Sequence, residues 1–187
     1  MTFRPLLTVI AAFASITCTP PVAAADELGD VMRLREQGQA AAAIAKADQF
    51  LAAQPRDAQM RFARASLLVD LKRNAEAVAA LESLTQDYPD LAEPYNNLAV
   101  LYASSGEYPK ARAALEQALQ LRPAYATAYE NLGDIYAALA ASAYASALKA
   151  DPALRAAQGK LSTVRQALTS GAASAAASNA TPASASR

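Results

Sequence analysis

Three prolines, Pro55, Pro89 and Pro123, stand 34 residues apart. A fixed period of that size constrains a chain more than its composition does. Each period must be one supersecondary unit, and a unit that small buries its apolar face only against its neighbours. Registered on the prolines, the chain divides into units 24–57, 58–91, 92–125 and a fourth opening at Ala126. The third unit carries Tyr95, Leu98, Ala99, Tyr102, Gly106, Tyr108, Ala111, Leu115, Ala118 and Pro123, and the fourth opens with Tyr129, Leu132, Gly133 and Tyr136 at the same offsets. Tyr95, Leu98 and Tyr102 fall on one face of a helix, and Ala111, Leu115 and Ala118 on one face of a second. Gly106 between them can take the positive φ that ends a helix, and Pro109 suits an early helical position, where a missing N–H costs nothing. The unit therefore reads as a helical hairpin. Small residues at Ala99, Gly133, Ala111 and Ala118 let its helices approach closely.

The segment YNNLAVLYASSGEYPKARAALEQALQLRP closely resembles the tetratricopeptide repeat family: an aromatic, Leu-Gly, Tyr, then Ala, Phe, Ala and Pro at fixed offsets. The resemblance covers roughly residues 26–152. Glu27 replaces the usual aromatic in unit one, and Arg61 and Arg64 occupy two normally apolar sites in unit two. It implies an all-α, right-handed α-solenoid whose first helices line a concave groove. Matching groove positions here are Phe62, Ser66, Glu93, Asn96, Asn97, Val100, Thr127, Glu130, Asn131 and Asp134. Family members hold an extended peptide or a partner helix there, some with a clamp of Lys, Arg and Asn around a terminal carboxylate. This sequence keeps Asn96, Asn97 and Asn131 but has no Lys or Arg among the matching positions read, Gln59 to Asp134. Glu93, Glu130 and Asp134 point instead to a neutral or basic, partly apolar ligand. Tyr95, Tyr102, Tyr129 and Tyr136 read as core packing.

The fourth unit departs from the period. ALKADP at 147–152 matches ALQLRP at 118–123, yet the prolines are 29 residues apart, five short, and the shortfall lies where the turn between helices belongs. The intervening AALAASAYASAL has no Gly or Pro. An apolar series, Tyr125, Tyr129, Leu132, Tyr136, Leu139, Ala143 and Ala147, runs through it in steps of three and four. This predicts one helix from about Tyr125 to Ala150, about 39 Å long at 1.5 Å per residue. The alternative is a compressed turn at Ala140–Ser142. A rod carrying Tyr144 and Leu148 needs a cover: a capping helix over 153–168 folded back on it, a second copy of the chain in a homodimer, or another protein. Leu154, Leu161, Val164 and Leu168 form the expected inner stripe of that cap, with Asp151 accepting a hydrogen bond from its start and Pro152 as its first helical residue.

Residues 1–25 resemble a secretory signal, with Arg4, an apolar core from Leu6 to Ile16, and Ala23 and Ala25 before the expected cleavage point. The core is too short to span a bilayer. The residues before Cys18 match a lipidation signal poorly, so no lipid anchor is expected there. Residues 170–187, rich in Ala and Ser, read as a disordered tail. The domain proper is thus 26–169, with units at about 24–57, 58–91, 92–125 and 126–152 and the cap at 153–168.

Charge is balanced, 17 basic against 17 acidic residues, which gives no basic excess for nucleic acid. There is no histidine, and no nucleotide-binding loop or metal-ligand motif. No catalytic residue, cofactor or metal is therefore expected. The sequence predicts a non-enzymatic protein- or peptide-binding adaptor, periplasmic or secreted, working in a bacterial cell envelope. A self-assembling structural protein, dimerising through the long helix at Tyr144 and Leu148, is the alternative.

Overall fold

The computed structural model describes residues 22–179, with side chains placed from Asp26 to Thr169. The described residues form eight helices and no strand: α1 Val22–Glu36, α2 Ala40–Ala53, α3 Ala58–Asp70, α4 Asn74–Asp87, α5 Ala92–Ser104, α6 Tyr108–Leu121, α7 Ala126–Ala150 and α8 Arg155–Asn179. Each helix packs chiefly on the next in sequence, α1 also reaches α3, and α5 reaches α7. That is the contact pattern of a solenoid built from hairpins. Most of the signal-like segment, with Cys18, lies outside the described residues, as do residues 180–187.

The turn inside each hairpin recurs on the same period. Gly38 and Gly106 have φ of 73° and 78°, and Lys72, midway between them, has φ of 60°. At each turn the next residue's N–H reaches back across the helix end: Gln39 to Leu34, Arg73 to Leu68 and Glu107 to Tyr102, at 2.8–2.9 Å. This is the left-handed C-terminal cap that usually calls for glycine. Lys72 supplies it at a steric cost. Lys72→Gly is expected to stabilise the protein by about 1 kcal/mol, less the extra chain entropy that glycine brings to the unfolded state. Urea unfolding checks this, and a midpoint shifted downward would contradict it.

The seam of the solenoid is small-on-small. Val31, Ala65 and Ala99 on the first helices are 0–1 % exposed, and Ala43, Ala77 and Ala111 on the second helices are fully buried. Leu67, Leu68, Leu81, Leu84 and Leu115 fill the space around them. The charged residues at aromatic or apolar sites are resolved by ion pairs. Glu27 meets Lys46 on α2 at 2.9 Å. Arg61 meets Asp87 on α4 at 2.7 Å, and its guanidinium lies 5.8 Å from the centre of the Tyr88 ring. Arg64 pairs with Asp48. Arg61 and Arg64 therefore tie adjacent helices together and form no free basic patch.

The fourth unit is one helix. α7 runs 25 residues without a break, and Ala140, one period beyond Gly106, lies inside it. The compressed turn at Ala140–Ser142 does not occur, because a stretch of alanine with no Gly or Pro offers the backbone nothing better than helix. Helix α8 folds back and packs on α7. Ala157 and Leu161 are buried and Val164 and Leu168 half-buried along its inner face.

Three details at this end differ from the sequence reading. Leu154 is 41 % exposed and precedes the helix. Pro152 does not open α8, because Asp151 caps α7 and its carboxylate accepts from the Ala153 N–H at 3.0 Å in a tight turn. The backbone of α8 also continues beyond Leu168 to Asn179, so residues 170–179, expected without structure, are helical. Their alanine-rich composition accounts for the extension.

The larger correction concerns Tyr129 and Tyr136. Both were expected in the core, and they are 55 % and 50 % exposed. Their counterparts Tyr95 and Tyr102 are half-buried against the core. Tyr102 donates to the Glu82 carboxylate at 2.6 Å, and burial together with that carboxylate pushes its hydroxyl pKa up to about 12. The fused helix explains the difference: without a turn, no second helix returns to cover the rings of unit four.

Candidate functional site

The first helices α1, α3, α5 and α7 place residues one period apart at equivalent points along one side of the stack. One such row reads Leu28, Phe62, Asn96, Glu130, and the next Met32, Ser66, Val100, Asp134. In the first row polarity rises from apolar at α1 and α3, through an amide at α5, to a carboxylate at α7; the second alternates between apolar and polar and also ends in a carboxylate.

The structure divides the expected groove residues among three clefts. The widest, about 480 Å³, lies where α1, α3 and the start of α5 meet; Leu28, Met32, Phe62, Leu91 and Pro94 give it an apolar floor, with Ser66 and Glu93 at its edge. A second, about 120 Å³, joins Ser66, Asn97 and Val100 to Arg35 and Asp70. A third, about 180 Å³, joins Val100 to Asn131 and Asp134. Thr127 and Glu130 are exposed on α7 but line none of these clefts.

Several expected contact residues are already engaged. The Ser66 hydroxyl donates to the Phe62 carbonyl at 3.0 Å and is nearly buried. Asn96 is also nearly buried, and its side-chain carbonyl accepts from the Asn131 amide at 2.9 Å, a link between α5 and α7. Asn96 and Asn131 thus serve the wall of the groove first. Glu93, in the first turn of α5, pairs with Arg122. Burial pushes the Glu93 carboxyl up, but the hydrogen bond from Arg122, its own backbone N–H and the Arg122 charge outweigh this and hold its pKa below the ordinary value. Val100 is 46 % exposed. Glu130 and Asp134 are exposed and make no ion pair among the described residues, so theirs is the unneutralised charge in the row.

The sequence reading missed the α1 contribution, Leu28, Met32 and Arg35. Subtracting one period from Phe62, Ser66 and Val69 gives these three residues, so the signal was present. It was obscured because unit one lacks the aromatic that marks the others. Arg35 also corrects the view that no cation occupies the groove positions. Its guanidinium donates to both carboxylate oxygens of Asp70, at 2.7 and 3.2 Å, which neutralises it.

At the other end, Tyr144 and Leu148 are half-buried, and the Lys160 ammonium of α8 lies 5.7 Å from the Tyr144 ring centre. The fold-back cap thus supplies cover for the far half of the long helix. Among the described residues, no cluster of His, Cys, Asp and Glu could hold a metal ion, and no helix is long and apolar enough to cross a membrane.

Comparison with known proteins bears on the fold. Residues 31–92 match a family model described as tetratricopeptide repeat, and residues 101–139 one described as TPR repeat. A TPR repeat-containing protein of Bacillus subtilis (strain 168), YvcD, is 51 % identical over 49 residues, a quarter of this chain (26 %) and a tenth (10 %) of that protein. Among solved structures, the first TPR of Spaghetti (RPAP3) bound to the HSP90 peptide SRMEEVD superposes with a TM-score of 0.60 at 21 % identity, over 66 % of this chain and 98 % of that one. The crystal structure of MamA gives 0.56 at 22 % identity, over 73 % of this chain and 83 % of that one. These likenesses establish the fold. Residues 31–92 and 101–139 are thus tetratricopeptide repeats, and the described residues fold as an α-solenoid of tetratricopeptide-type hairpins.

Proposed function

We propose that this protein is a non-enzymatic interaction module that holds an extended peptide along its concave face. The apolar end of the peptide seats at α1 and α3, and its basic end reaches α7. The observation that carries this reading is the gradient from Leu28, Met32 and Phe62 to the unpaired Glu130 and Asp134. An apolar anchor in a cleft supplies affinity by leaving water, and carboxylates at the far end select sign and direction. A solenoid of this fold, Spaghetti (RPAP3), is seen bound to a peptide ending in acidic residues, SRMEEVD. Arg35 of the present chain is occupied by Asp70 and the α7 end is acidic, so the preference here runs to the opposite sign.

The signal-like segment at 1–25 supports an exported adaptor in a bacterial cell envelope as its setting. Self-assembly through Tyr144 and Leu148 has less support, because α8 of the same chain already packs there.

The reading is tested with paired fluorescent peptides that share a Leu-Phe anchor and carry either two lysines or two glutamates five residues downstream. The lysine peptide is expected to bind about tenfold more tightly, a difference of about 1.4 kcal/mol. Glu130→Lys with Asp134→Lys is expected to reverse the order, and Phe62→Ala to weaken both peptides. Equal affinity of both peptides for the doubly substituted chain and the native one would defeat the proposal.

A further inference from the structure

The exposed face of α7 has a filled counterpart in each preceding hairpin. In units one to three, the small residue at the centre of the first helix (Val31, Ala65, Ala99) is covered, and the second helix of the pair brings a buried alanine to the same seam (Ala43, Ala77, Ala111). In unit four the central residue is Gly133, and a Cβ built there meets nothing within 4 Å. Tyr129 and Tyr136, one turn before and one turn after it, are half exposed. Helix α8 does not fill this notch: it covers α7 farther along, where Lys160 lies over the Tyr144 ring, and leaves Tyr129, Gly133 and Tyr136 exposed. The notch is therefore the α5–α6 interface continued by one period with its second helix missing.

We propose that Tyr129, Gly133 and Tyr136 form a seat for an amphipathic helix from another protein, separate from the concave groove. The occupant presents a small residue to Gly133, apolar residues four and seven positions later, and a basic residue just before the small one. Helix α6 defines that pattern with Ala111, Leu115 and Ala118. Its Lys110 ammonium lies 5.4 Å from the centre of the Tyr102 ring, the counterpart of Tyr136. Glu82 stands beside Tyr102, and Glu116 occupies the equivalent place one period on. A cation over Tyr136 therefore has a ring face to meet, with the Glu116 carboxylate, itself paired with Arg112 at 3.5 Å, close by. Charge also disfavours a second copy in this seat. Two α7 helices crossing at Gly133 would bring their unpaired Glu130 and Asp134 side chains together, and like charges at close range oppose such pairing.

The probe is a helix-stapled, fluorescent peptide of residues 108–121, YPKARAALEQALQL, titrated with the full chain by anisotropy. Saturable binding is expected. Gly133→Leu, which fills the notch, and Tyr136→Ala, which removes one wall, are each expected to weaken it at least tenfold. Both positions are exposed, so circular dichroism and the melting temperature should confirm intact folding. A peptide with glutamate at its lysine position should bind more weakly. Phe62→Ala should leave the probe's affinity unchanged, which separates failure of this seat from failure of the groove. No saturable binding, or equal binding to the Gly133→Leu chain, overturns the proposal. A native dimer in light scattering that Gly133→Leu dissociates overturns it too, in favour of a second copy.

Discussion

Leu115→Ala is expected to destabilise the protein by about 2–5 kcal/mol, the cost of an unrefilled cavity in a tight core. Leu115 is fully buried on α6 and lines a small cleft with Ala99 of α5 and Ile135 of α7. Its removal therefore loosens three helices at once. The effect should also be uneven along the chain. In a solenoid each hairpin is held by its neighbours, so a local loss need not spread. The C-terminal helices α5 to α8 should open at lower denaturant than α1 to α4, turning one urea transition into two. Hydrogen exchange resolved by peptide would place the early opening. A single transition shifted by less than 1 kcal/mol would mean that Leu115 is not the keystone its burial implies.

Ala141→Pro is expected to cost about 3 kcal/mol or more. Residue 141 lies in the interior of α7, so proline removes its hydrogen bond to Ala137 and sets its ring against that carbonyl. Helix α8 packs on α7, so it should lose protection together with residues 137–150. The same substitution would be well tolerated if the chain turned at Ala140–Ser142, because proline suits turns. The stability of this one variant thus distinguishes a continuous rod from a bent pair. The concave clefts at α1 and α3 lie several helices away and should be unaffected.

Much of the architecture was legible in the residues. The proline period set the unit, the Tyr and Ala offsets set the two faces of each hairpin, and the missing five residues forecast α7. Each of these is a local property: helical phase and turn chemistry depend on residues within a few positions of one another. Lys72 escaped notice at its turn because a lysine carries no sign of positive φ, although the period passes through it.

The groove was legible only in part. Phe62, Ser66 and Glu93 do converge, but Leu28 and Met32 complete their cleft from a unit whose pattern was faint. Asn96 and Asn131 turned out to hold each other. A side chain's free valence depends on its neighbours in space, which a single helix pattern does not contain.

By itself, the sequence determined the repeat, the hairpin and the long seventh helix, because backbone preference and apolar phase act along the chain. Only the tertiary structure decided which faces were covered. Tyr95 and Tyr129 sit at identical repeat positions, yet Tyr95 packs against the core and Tyr129 is 55 % exposed. Burial requires a second surface to displace water, and whether that surface arrives depends on where the rest of the chain goes.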